Sequence, residues 1–184
     1  MVENSYSDKE LLHLFNAGEN PDYAFGLIVK KYQEKLYWHI RKIVITHEDA
    51  NDVIQETFIK AWNNLGKFRG DSKLFTWLFR IATNEALSHL KRSRRKIWIP
   101  FIDLENKLQN MLEGDNYFDG DETRLKFQKA ILKLPEKQRL VFNMKYFDEM
   151  KYDEIAEILG TSVGALKASY HHAVKKIKDF LIND

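Results

Sequence analysis

Tyr152-Asp153-Glu154-Ile155-Ala156-Glu157-Ile158-Leu159-Gly160-Thr161-Ser162-Val163-Gly164-Ala165-Leu166-Lys167-Ala168 reads as one short helix, a stop and the start of another. Tyr152, Ile155, Ala156 and Leu159 recur at i, i+3, i+4 and i+7, the spacing of one buried helix face. Gly160 stands where a helix end needs a left-handed residue. Thr161 or Ser162 can then cap the next helix. That helix has an inner face of Val163, Leu166, Tyr170, Ala173, Val174 and Ile177. Its outer face carries Gly164, Lys167, Ala168, His171, His172 and Lys175. Two short helices joined by a glycine turn form a helix-turn-helix. Small Ala156 allows close approach of the pair. In such a motif the second helix enters the DNA major groove, where Lys167 can donate to guanine and imidazoles can donate or accept. His171 and His172 point about 100° apart on a helix, which does not suit one shared metal ion.

Upstream, the same periodicity continues. Leu134-Pro135 marks a helix start, with Leu140, Val141, Met144 and Phe147 as its inner face. Three further sets are helical: Phe25, Ile28, Val29, Tyr32 and Leu36; then Ala50, Val53, Ile54, Phe58, Ala61, Trp62 and Leu65; then Leu74, Trp77, Leu78, Ile81 and Ala82. Gly66 ends the second set, and Asp71 or Ser72 is the expected cap of the third. These sets predict a helical domain from about Leu11 to Lys96. Residues 97–121 break the pattern with Pro100, Gly114 and Gly120, and read as a linker with a short helix near Leu104 to Leu112. With 8 glycines, 3 prolines and no cysteine in 184 residues, an all-α fold is expected, and thiolate metal sites and disulfides are excluded.

The net charge of +2 conceals segregation. Residues 1–65 carry 7 basic and 10 acidic groups; residues 66–96 carry 9 and 2. Residues 97–121 carry 1 and 6, and residues 122–184 carry 12 and 9. The basic block ends in Lys91, Arg92, Arg94, Arg95 and Lys96, a footprint for a polyanion or a solvated helix end. No apolar run reaches the length of a membrane span, and Met1 to Glu10 carries no apolar leader, so membrane insertion is not expected and a cytoplasmic location is.

Longer strings carry a resemblance. Asp49-Ala50-Asn51-Asp52-Val53-Ile54-Gln55-Glu56-Thr57-Phe58-Ile59-Lys60-Ala61-Trp62 resembles region 2.2 of bacterial sigma factors. Phe68-Arg69-Gly70-Asp71 and Thr76-Trp77-Leu78-Phe79-Arg80-Ile81-Ala82-Thr83-Asn84 resemble regions 2.3 and 2.4, and Leu134 through Ile177 resembles region 4. The order and the short linker are those of the extracytoplasmic-function (ECF) subfamily of sigma-70 factors. The resemblance implies two small helical domains, region 2 over residues 1–96 and a region 4 helix-turn-helix over 122–184, joined by an acidic linker at 97–121. It implies a protein that binds core RNA polymerase, directs it to promoter DNA and helps open the duplex, with no cofactor, no metal and no catalysis of its own.

The resemblance also assigns residues. Asp52, Gln55, Glu56 and Ile59, which share a helix face by spacing, match the family positions that dock on the polymerase β′ coiled coil. Region 4 is expected on the β flap. Phe68, Lys73 and Phe75 match the loop that captures a flipped base of the −10 element, with Asn84 near that pocket. Extruding a base costs a few kcal/mol, which stacking and a basic groove recover. Arg80, Lys91, Arg92 and Arg94 would hold phosphates, which position the protein without reading sequence. Lys167, Ala168, His171, His172 and Lys175 would face the −35 element. Arg and Ser are common at the first two of these positions, so the departure here makes the promoter read by this helix its own. In related proteins the linker threads the channel later taken by nascent RNA, and an acidic tether that merely keeps clear of DNA fits its charge equally; an anti-sigma factor is a commonly expected partner. Two other readings fit the residues less completely. A stand-alone helix-turn-helix regulator would dimerise and bind a palindrome without polymerase. A helical nucleic-acid-processing enzyme would need a metal or nucleophile constellation, and no His-Glu-x-x-His, phosphate loop or cysteine site occurs.

Overall fold

In a computed structural model, residues 6–18, 20–96 and 122–183 are described, and these are helices joined by short turns. The elements are α1 (Asp8–Ala17), α2 (Pro21–Val44), α3 (His47–Leu65), α4 (Leu74–Lys96), α5 (Glu122–Leu132), α6 (Glu136–Tyr146), α7 (Tyr152–Leu159) and α8 (Val163–Asn183). No strand occurs among the described residues. The expected acidic linker and its short helix fall outside them.

The first four helices form a bundle in which α2, α3 and α4 pack against one another and α1 lies along α2. Its core holds Ile28, Leu36, Ile40, Val53, Leu65 and Leu78. The expectation of a domain beginning near Leu11 missed the true start of α1. Ser7 caps it: the Glu10 N–H donates to Ser7 Oγ at 3.3 Å, and Ser7 N–H donates to Glu10 Oε2 at 2.6 Å. This reciprocal box satisfies two orphan donors in a stretch that only looked polar. Thr46 caps α3 by accepting from Asp49 N–H at 3.1 Å. The expected cap of α4 is corrected: Trp77 N–H bonds the Lys73 carbonyl at 3.0 Å, so the helix starts just after Lys73 and not at Asp71 or Ser72.

Between α2 and α3 the chain turns on Ile45, at φ 74° and ψ −46°, with Thr46 N–H on the Val44 carbonyl at 3.0 Å. That is a three-residue γ-turn, a strained form for a β-branched residue. Burial of the Ile45 side chain, 4 % exposed, holds it there.

In the second half, α5, α6 and α7 all pack on α8. Ala130, Ile131, Leu134, Phe142, Ala173 and Ile177 form one cluster. Pro135 occupies the position before α6, one residue earlier than a first-turn proline, and its carbonyl accepts from Arg139 N–H at 2.9 Å. Gly160 ends α7 at φ 61° and ψ 40°, the left-handed conformation expected of it. Ser162 Oγ then accepts from Ala165 N–H at 3.3 Å and starts α8. The two halves touch: α4 packs on α7 and α2 on α6. Leu140, Met144, Met150, Ile155 and Leu166 belong to the same apolar cluster as Leu78 and Phe79.

Candidate functional site

The α3 face named from spacing lies open. Asp52, Gln55 and Ile59 are exposed, Ile59 at 61 %, an unusual position for a large aliphatic side chain. With Glu56 they line a groove of about 480 Å³ between α3 and α4. The groove adds Asp49, His89, Arg92 and Ser93 to the set. His89 Nε2 meets Asp49 Oδ1 at 2.8 Å, and Arg92 Nη2 donates to Glu56 Oε2 at 2.9 Å. Asp49 was open to discovery, because it precedes Asp52 by three and shares its face. His89 was not, because it lies 40 residues from Asp49 and only tertiary packing joins them. The groove is acidic and edged by one exposed aliphatic side chain, a surface suited to a basic protein partner.

The basic segment divides between two faces. Arg80, Asn84 and Lys91 follow one another at intervals of four and seven, which keeps them on one stripe of α4, and Lys73 stands at its head. Arg92, one residue past Lys91, turns about 100° away and sits in the acidic groove. Here the structure places Arg92 apart from the other predicted phosphate contacts. For Arg94 only the helical backbone is described. Phe68 is half-buried against Trp77, with ring centroids 5.2 Å apart. Phe75 is half-buried against Phe79 at 4.3 Å and Tyr32 at 6.4 Å. Lys73 Nζ donates to Glu154 Oε1 of α7 at 2.8 Å. That bond and the accompanying charge raise the Lys73 ammonium above its ordinary value. The same bond, foremost among its causes, lowers the Glu154 carboxyl.

On α8, Lys167, Ala168, His171, His172 and Lys175 are all exposed on the outer face. Leu166, Ala173 and Ile177 are buried beneath them. Tyr170 stacks on Phe142 at 5.8 Å and 14°. Val174 does not belong to the inner face, as it is 42 % exposed. One step of about 100° from buried Ala173 carries it to solvent where α8 is covered along one side only. Lys167 Nζ lies 5.9 Å from the Tyr152 ring, which holds the ammonium near the start of the helix. The His171 and His172 rings sit 6.0 Å apart at 67°. Among the described residues no group of three His, Cys, Asp or Glu side chains converges as a metal site. No helix of the described residues is long and apolar enough to cross a membrane.

Comparison with known proteins follows the same division. Residues 28–96 match the family model "Sigma-70 region 2", and residues 124–177 match "Sigma-70, region 4". The chain is 34 % identical over 181 residues to RNA polymerase sigma-H factor of Pseudomonas aeruginosa, covering 92 % of this chain and 91 % of that one. It is 32 % identical over 184 residues to ECF RNA polymerase sigma-E factor of Escherichia coli K12, covering 96 % and 95 %. Among solved structures, CnrH in complex with the cytosolic domain of CnrY superposes with a TM-score of 0.69 at 26 % identity, covering 96 % of this chain and 98 % of that one. RpoE from Bartonella quintana, in complex with the anti-sigma factor NepR, shares the fold at a TM-score of 0.66 and 23 % identity, covering 87 % and 98 %.

Proposed function

The chain belongs to the ECF subfamily of sigma-70 RNA polymerase sigma factors and directs transcription initiation, and from that premise we propose how its surfaces divide the work. The family is non-enzymatic, so each surface acts by binding. The groove of Asp52, Gln55, Glu56 and Ile59 docks on the basic coiled coil of polymerase β′. Its carboxylates meet cations, and exposed Ile59 supplies the apolar contact between them. Asp49, Arg92, His89 and Ser93 complete the docking surface from the flanks.

The second surface is the head and outer stripe of α4. Phe68 and Phe75 offer rings to an unstacked base of the −10 element, with Lys73 and Asn84 beside them. Arg80 and Lys91 hold the backbone of the same DNA. The third surface is α8, whose Lys167, Ala168, His171, His172 and Lys175 face the −35 duplex. Lys167 and the two imidazoles carry base readout, Ala168 contributes only an apolar contact, and Lys175 holds a phosphate. Region 4 also meets the β flap. Since CnrH has been captured with the cytosolic domain of CnrY, and RpoE with an anti-sigma factor, we extend to this chain control by a protein of that kind.

The observation that carries this reading is the open acidic face of α3 on the same bundle as the basic stripe of α4. One face suits a basic protein and the other a polyanion, and they point different ways. The test is transcription from a matched promoter with purified core polymerase, alongside direct binding. Wild type is expected to bind and initiate. Polymerase binding at full strength by Asp52→Arg would reject the docking face.

A further inference from the structure

Tyr152 opens α7, and its half-buried ring packs on the apolar cluster that holds Met150, Ile155 and Leu166. Two ammoniums lie near that ring: Lys145 Nζ of α6 at 5.1 Å from its centre, and Lys167 Nζ of α8 at 5.9 Å. Lys145 Nζ also donates to the Met150 carbonyl at 3.0 Å, so it is held independently. Burial, with Tyr170 nearby, raises the Tyr152 hydroxyl above its ordinary value, and the ring stays neutral at physiological pH. Lys167 has no such second hold. Side chains on a helix lean toward its N-terminus, which carries Lys167 back over the turn to the start of α7.

The choice of a ring matters. Lys31, Lys60, Lys73 and Arg92 each pair with a carboxylate. Among the described residues no carboxylate pairs with Lys167; its ammonium meets the Tyr152 ring instead. An ammonium has three donors and no acceptor. A carboxylate would occupy those donors and add a negative charge on the face turned to DNA. The face of a ring attracts the cation through its quadrupole and leaves the donors open to a base edge. Lysine is also long and flexible, and fixing it on binding costs rotamer freedom. A side chain already restrained near its bound place loses less. Lys175, further along α8, has no ring within the same reach among the described residues, which suits a phosphate contact that needs charge and not aim.

We propose that Tyr152 is a positioning residue for promoter reading: its ring aims Lys167 at the −35 base pair that Lys167 reads, while sparing the donors that read it. The inference rests on the assignment of Lys167 to base readout and goes one residue beyond it. Tyr152 then sets specificity at one base pair without touching that pair, and acts through the sequence preference of the helix and not through its general hold on DNA.

The test uses holoenzyme, made from core polymerase and the full chain, with a promoter that wild-type holoenzyme selects from genomic fragments. Binding is measured on that promoter and on every single-pair change in its −35 element. Lys167→Ala identifies the pair that Lys167 reads, as the one whose preference it flattens. Tyr152→Leu is expected to lower the preference at that same pair about two- to fivefold, the range of one exposed cation–π contact. Preferences at the other pairs and the salt dependence should stay as in wild type. Tyr152→Phe should keep the preference, since the ring remains. Trifluorinated phenylalanine at position 152 keeps the ring's shape but withdraws charge from its face, and should behave like Tyr152→Leu. A ring that only filled space would not respond to that change. Tyr152→Leu added to Lys167→Ala should cost nothing more at that pair. Equal preference in Tyr152→Leu and wild type, an even loss across all pairs, or a fluorinated ring that matches phenylalanine overturns the positioning role. So does a gain of preference in Tyr152→Leu, which would mean that the ring withholds the ammonium from DNA. Loss of preference in Lys167→Ala alone leaves readout standing without positioning, whereas no change in Lys167→Ala at any pair strikes the readout itself.

Discussion

Two charged assemblies in this protein use similar chemistry in opposite surroundings. In the α3–α4 groove, Arg92 and Glu56 pair with side chains 54 % and 43 % exposed. At the interface of the halves, His39 and Asp148 pair with 1 % and 7 % exposed. A solvated pair is worth at most about 1 kcal/mol and is screened by salt. A buried pair contributes little over an apolar replacement, but losing one partner costs about 3–5 kcal/mol because a desolvated charge is left behind. The first arrangement is therefore exchangeable and the second is a lock. The lock has a built-in weakness. Among the described residues no donor reaches buried Asn143 Oδ1, and an unsatisfied acceptor costs about 1–3 kcal/mol.

The strongest challenge to this contrast is Asp148→Ala. It should cost about 3 kcal/mol in denaturant unfolding of the full chain. A loss below about 1 kcal/mol would place Asp148 with the exchangeable pairs. Next is Asp52→Arg, which puts a cation against a basic partner and should weaken polymerase binding on the order of 30-fold, read by titration of labelled chain. Lys167→Ala should cost about 1–3 kcal/mol on −35 duplex binding and relax the preference at one base pair. Lys91→Ala should weaken DNA binding evenly across sequences and reduce the salt slope by about one. Similar behaviour for Lys167 and Lys91 would erase the distinction between reading and holding.

Acidification probes the interface of the halves with the smallest expected change. Asp148 and Glu154 titrate below their ordinary values of 3.8 and 4.5. A depressed carboxyl stabilises the folded contact above its unfolded value and loses that contribution as pH falls through the folded one. The contact between the halves, read by energy transfer between dyes on Asn63→Cys and Lys178→Cys, should hold at pH 6 and loosen only below about pH 4. Lys42 and His39 face Asp148, and Lys73 faces Glu154.

Much of this architecture was legible because amphipathic periodicity and glycine chemistry are local. The α3 face of Asp52, Gln55, Glu56 and Ile59 follows from spacing, and Gly160 marks the turn through its backbone freedom. The Ser7 and Glu10 box was equally local and was hidden only by the polar look of its neighbours. Val174 was misplaced because periodicity gives a stripe's direction, not how far the covering helices extend along it. The α4 cap failed for another reason: Asp71 and Ser72 have the right chemistry, but the helix begins after Lys73. The groove's His89 and the buried contacts of Asp148 with α2 were beyond sequence reasoning. His39, Thr83 and Asp148 lie on separate elements, and nothing in their local patterns announces that a buried carboxylate will find its partners across the molecule.

Arg92 gives the groove a property that a count of its carboxylates would miss. The side chain on Glu56 already supplies what an incoming basic surface would offer, and His89 does the same for Asp49. A stray cationic peptide therefore gains little by displacing them, since it replaces one contact with an equivalent one. On the proposed docking, a partner that covers Ile59 and Asp52 at the same time is the one expected to win. Self-occupancy would then filter for shape, and make the acidic face more selective than its charge alone would allow.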